Sequence, residues 1–134
     1  MPGRDPTHWL HRLTADEWLA AAATELGHCE ETLARRAVRP GVTHARRAAG
    51  MALNAVLALA EEPRFGRSYM EHLVALAGAG GETAPAEVRA AAQRLRETPP
   101  APPALITLGK PDLRVLEEAR CIVAFATARV AALR

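Results

Sequence analysis

The chain has 134 residues, of which 49% are apolar and only 4% aromatic, so one domain-sized core must be built from alanine, leucine and valine. A formal net charge of +2 and a pI of about 8.9 exclude the strongly basic profile of an obligate nucleic-acid binder. Two cysteines exclude a disulfide framework, and no apolar run has the length of a membrane span. The first residues, MPGRDPTHWLHRL, lack the order of a secretory signal, so a soluble, cytoplasmic protein with no membrane partner is expected.

Residues 1–13 read as a loosely ordered start, with Trp9, Leu10 and Leu13 placed for one helical turn. Thr14 and Glu17 have capping-box spacing, and Leu13 and Trp18 stand where a hydrophobic staple pairs them. Trp18, Ala22, Leu26, Cys29 and Leu33 recur at intervals of three and four, which predicts a long amphipathic helix ending near Arg36. Pro40-Gly41 reads as a break, and Thr43 as the cap of a second helix that runs to about Ala60. Within it lies HARRAAGMALNAVL, His44 to Leu57. Ala45, Ala48, Ala49, Ala52 and Ala55 line its inward face, with Gly50 among them. A face so thin belongs in the middle of a bundle, where its partners supply the bulk.

Ser68 and Glu71 offer a second capping box, and Met70, Leu73, Val74 and Ala77 give a third, shorter helix its stripe. Gly78, Gly80 and Gly81 end it. Pro85 suits the start of a fourth helix carried by Val88, Ala91, Ala92 and Leu95. Residues 98–104 form a Pro-rich connector of polyproline II type, and Leu105 to Leu108 a short extended piece. Asp112 caps the last helix. Its stripe is Leu113, Leu116, Ala119, Val123, Ala126 and Val130, widened by Ile122, Phe125 and Leu133. No strand pattern appears. Residues 1–134 therefore read as one all-α domain, an up-and-down antiparallel bundle of about five helices.

The charges are unevenly laid out. Asp16 and Glu17 open the first helix, and Arg35 and Arg36 close it, in keeping with its dipole. Arg46 and Arg47 are placed early in the second helix, and Glu61 and Glu62 late, against the dipole. A hairpin of these helices gathers Arg35, Arg36, Arg39, His44, Arg46 and Arg47 at one end, a candidate anion or nucleic-acid site. The alternatives are a solvated surface whose charges pair with other helices, and a dimer of basic end against acidic end.

Other chemistry is sparse. Gly78 to Gly81 lacks the Lys-Ser/Thr and the preceding strand of a phosphate loop. His8 and His11 have no further ligands near them in sequence, so no metal set and no cofactor are expected. Cys29 reads as a core thiol and its neighbour His28 as a surface residue, since adjacent helical positions face apart. An arginine followed at short distance by a histidine can polarise a phosphodiester, the histidine acting as general acid or base. Arg39 with His44, Arg67 with His72, and Arg4 with His11 fit this pattern. About two such pairs arise by chance in a chain so rich in arginine. Arg67 and His72 are the catalytic candidates on that ground, and a packing histidine is the other reading of His72.

In order, the long first helix, the HARRAAGMALNAVL helix and the following YMEHLVAL resemble the HEPN domain family. Its members carry His-x-x-Gln-Ala-x-Glu-Lys-x-Leu-Lys-Ala-x-Leu and, after a loop, His-x-Leu-x-x-Leu. His44, Ala48, Ala52, Leu53, Ala55 and Leu57 fall in step with the first pattern, and His72, Leu73 and Leu76 resemble the second. GKPD (Gly109 to Asp112), leading into EEARCIVAFATARV, looks like the family's approach to its last helix. The likeness covers Thr14 to Leu133. The family's polar signature is altered, with Arg47, Gly50, Met51 and Asn54 at its charged positions. Ribonuclease members hold their arginine–histidine motif near the last helix, and no histidine follows His72 here. The resemblance therefore implies a homodimeric, non-catalytic accessory protein. Its partners would be a small nucleotidyltransferase, in a two-component module of toxin–antitoxin type, and a nucleotide or RNA. A metal-independent ribonuclease using Arg67 and His72 at a dimer cleft is one alternative, and a helical protein-interaction scaffold is another.

Overall fold

The computed structural model describes residues 9–99 and 110–134. The expected loose residues 1–8, the pair Arg4 and His11 through its first member, His8, the connector beyond Pro99 and the extended piece at Leu105 to Leu108 lie outside the described residues. Within them stand five α-helices and no strand: α1 (Ala15–Ala34), α2 (Val38–Leu59), α3 (Tyr69–Ala77), α4 (Ala86–Glu97) and α5 (Arg114–Leu133). Single 3-10 turns occupy Trp9–Arg12, Pro63–Phe65 and Ala79–Gly81.

The start of α1 is fastened by its own sequence. The Glu17 amide donates to Thr14 Oγ1 at 3.2 Å, and the Thr14 amide to Glu17 Oε1 at 2.9 Å. Leu13 packs against the buried cluster that holds Trp18, and the Trp18 indole Nε1 donates to the Leu10 carbonyl at 2.9 Å. Leu10 is buried. Trp9–Arg12 thus form a single helical turn, placed as Trp9, Leu10 and Leu13 suggest. At the other end the Arg36 amide donates to Leu33 O at 2.9 Å and the Ala37 amide to Thr32 O at 2.8 Å. This pair of bonds is a Schellman motif, and Arg36 holds its left-handed position at φ 61°.

Pro40-Gly41 does not break the chain. Helix α2 starts at Val38, so both residues lie in its first turn. There the missing amide of proline has no intrahelical partner to lose. Thr43 is not the cap either: its hydroxyl donates back to Arg39 O at 3.2 Å, and Ala37 at the N-cap supplies no side-chain bond. Gly41 serves the α1–α2 contact, because a Cβ there would lie 2.4 Å from Leu33 Cδ2. The Cys29 thiol donates to the Gly41 carbonyl at 3.3 Å across the same approach.

Helices α1 and α2 run antiparallel, with Trp18 level with Ala55 and Ala58, Ala22 with Ala52, and Cys29 with Gly41. Ion pairs from Arg120 to Glu30 and from Arg134 to Asp16 set α5 antiparallel to α1 as well. Helix α5 therefore runs alongside α2 in the same direction, which the intervening α3 and α4 make possible. Strict up-and-down alternation is kept by the α1–α2 hairpin and not by this pair. Helix α2 touches all four others. Ala45, Ala48, Ala49, Ala52 and Ala55 are fully buried, as the thin face requires. Ala22, Ala52 and Ala126 meet at one level, three helices joined through three methyl groups.

The stripe on α3 differs from expectation. Leu73 and Leu76 are buried, but Met70 and Val74 face outward, and the wholly buried position between them belongs to His72. Ser68 Oγ accepts from the Glu71 amide at 3.0 Å, one half of the capping box. Val88, Ala91, Ala92 and Leu95 bury the inner face of α4. Asp112 is not the cap of α5: the N-cap is the exposed Leu113, without a side-chain cap bond, and Asp112 Oδ1 accepts from the Arg114 amide at 3.0 Å from one position before it.

Candidate functional site

The six residues of the expected anion site divide into three groups. Arg46 turns inward and donates to the carbonyls of Leu95 (3.2 Å), Arg96 (3.2 Å) and Thr98 (2.6 Å). It closes the C-terminus of α4, where carbonyls lack helical partners and the dipole favours a cation. Burial lowers its pKa from the usual value. With α2 starting at Val38, Arg46 and Arg47 lie in its third turn, clear of the N-terminal amides; Arg39 takes the first-turn position instead, and Glu61 and Glu62 follow the helix end. His44 and Arg47 reach across to α1. His44 Nδ1 is 2.6 Å from Glu25 Oε2, and Arg47 Nη2 is 3.4 Å from Glu25 Oε1. Arg35, Arg36 and Arg39 remain exposed around the α1–α2 turn.

Arg67 and His72 are not arranged for proton transfer to a substrate. The Arg67 guanidinium lies over the Trp9 ring, 5.8 Å from its centroid. His72 is 0% exposed, with Nδ1 2.6 Å from Phe65 O and Nε2 2.7 Å from Asn54 Oδ1. Burial lowers the pKa of this ring, more than the Phe65 carbonyl raises it. The neutral ring donates from Nδ1 and accepts at Nε2, so Asn54 satisfies it by presenting its amide nitrogen after a half-turn. Trp9, Phe65 and Tyr69 surround the ring. The packing role weighed for His72 fits this geometry.

Spacing along any one segment gives no metal set, but helix pairing brings together across two segments three residues that could hold an ion. Glu25 and His28 sit three apart on α1, and His44 faces them from α2. One ligand atom from each lies within 4.8 Å of the others. Glu25 is buried and His28 exposed. The two imidazoles meet edge to face, 5.3 Å between centroids. The i, i+3 spacing of Glu25 and His28 was legible; the arrival of His44 depends on the register of the hairpin.

Neither thiol is activated. Burial raises Cys29 to about 11, and raises Cys121 as well. A groove of about 960 Å³ runs between Val38, Val42, Ala91, Val115 and Glu118. Arg94 Nε donates to Glu118 Oε1 at 3.0 Å, and burial raises the Glu118 carboxyl despite that partner. No described helix is long and apolar enough to cross a membrane. No protein-family model, no curated protein and no solved structure matches the chain.

Proposed function

We propose that this chain is a non-catalytic binding and accessory protein of HEPN type, and that its α1–α2 turn takes an anionic partner. Arg36 carries the reading. It occupies the left-handed position of a Schellman motif, where glycine fits without strain and a residue with a Cβ costs roughly 1–2 kcal/mol. A strained position held by an arginine, with Arg35 and Arg39 exposed beside it, favours a functional reason for the residue. The adjoining first turn of α2 has no side-chain cap and no acidic residue. Its amide end and the exposed guanidinium forks of Arg35 and Arg39 suit phosphate groups. RNA or nucleotide phosphates are the ligands of that chemistry. A nucleotidyltransferase in a two-component, toxin–antitoxin-like module of the cytoplasm is the protein partner the resemblance implies.

The buried, doubly bonded His72 supports this reading over the metal-independent ribonuclease. The reading includes a homodimer, for which the apolar groove of Val88, Cys121, Phe125 and Ala128 between α4 and α5 offers a face. Light scattering of the purified chain should give twice the chain mass.

The main test is anisotropy of a short single-stranded RNA across a salt series, with nucleotide as competitor. Binding should weaken steeply with salt. Arg36→Gly should lower affinity while raising stability by about 1 kcal/mol. Absence of binding at low salt would remove the anion reading and leave the scaffold. Metal-free RNA cleavage abolished by His72→Ala, with the fold intact, would restore the ribonuclease.

A further inference from the structure

We infer that Glu25, His28 and His44 form a binding site for a divalent transition ion, with Zn²⁺ as its occupant. The inference stands apart from the anion reading, because it uses neither Arg35, Arg36 nor Arg39. Two imidazoles and one carboxylate are a borderline donor set that suits Zn²⁺, whereas Mg²⁺ and Ca²⁺ favour oxygen alone. Ligands on a tetrahedral ion with bonds of about 2.1 Å lie about 3.4 Å apart. The three donor atoms stand within 4.8 Å of one another, and His44 Nδ1 and Glu25 Oε2 at 2.6 Å. The short pair opens slightly when the ion replaces the shared proton, and the exposed His28 ring closes the remaining gap by rotation.

The surroundings favour the ion over a simple brace. Arg47 approaches Glu25 Oε1 at 3.4 Å and leaves Oε2 to the imidazole side. Its own charge is about half exposed and screened by solvent. The backbone that carries the ligands is helical on both sides, so their spacing is preset. His28 is on the water side. Zn²⁺ held there ties α1 to α2 and keeps a coordination position toward solvent for water.

The test uses the full chain, freed of any histidine tag and of chelator, titrated calorimetrically with Zn²⁺ and followed optically with Co²⁺. One equivalent per chain should bind, and the melting temperature should rise with Zn²⁺ concentration. His28→Ala should weaken binding at least about tenfold while the metal-free melting temperature and circular dichroism stay unchanged, because His28 is exposed. Glu25→Gln and His44→Gln should weaken it as well, and Cys121→Ser should not. The inference fails if no saturable binding occurs, if His28→Ala binds as the parent does, or if Co²⁺ shows thiolate charge transfer. The first of these outcomes would mark the trio as an ion-pair brace alone.

Discussion

A histidine held without its charge makes stability depend on pH in a defined direction. Burial lowers the folded pKa of His72, whereas an unfolded histidine titrates near about 6.5. Above that value both states are neutral there and its contribution is complete. As pH falls through that value toward the lower folded one, the unfolded chain takes up a proton that the folded chain refuses, and stability declines. Denaturation midpoints between about pH 7.5 and 5 should drop more steeply for the parent than for His72→Gln, and equal slopes would contradict the assignment. Two glycines make an opposite pair at the same scale. Gly27 lies mid-helix with nothing within 4 Å of its Cβ direction, so Gly27→Ala should add about 0.5–1 kcal/mol. At Gly50 a Cβ would sit 2.1 Å from Tyr69 Cδ1, so Gly50→Ala should lose about 1–3 kcal/mol. Chemical denaturation of both variants checks the signs.

At the scale of elements, α2 is defined by how little its side chains occupy. Ala52→Leu should destabilise by about 1–3 kcal/mol or more, since the added carbons must enter a level shared with Ala22 and Ala126. Ala131→Leu, on the exposed side of α5, should stay within about 0.5 kcal/mol. Much of this is legible in the sequence. Alanine spacing from Ala45 to Ala55 marked the buried helix, and Thr14 with Glu17 marked the start of α1. The start of α2 was not readable, because proline and glycine signal a break in isolation and become first-turn residues only when Leu33 packs against Gly41. The place of Arg46 is not legible in the sequence for a related reason: its carbonyl partners lie 49 to 52 residues further along. Of the stripe Met70, Leu73, Val74 and Ala77, Leu73 is buried, whereas Met70 and Val74 turn outward because His72, bonded to Phe65 and Asn54, takes an inner position.

Across the whole molecule, one end of the hairpin collects exposed arginines and the other holds ion-paired carboxylates. Arg134 pairs with Asp16, and Arg64 with Glu62 at 3.2 Å. At the turn Arg35, Arg36 and Arg39 are exposed. The methyl layer of Ala22, Ala52 and Ala126 divides the bundle between these ends. The inward faces of three helices are shut there, and they part only together. Deuterium uptake should consequently be slowest at the waist and quicken toward both tips, so that either extremity can loosen while the opposite one stays closed.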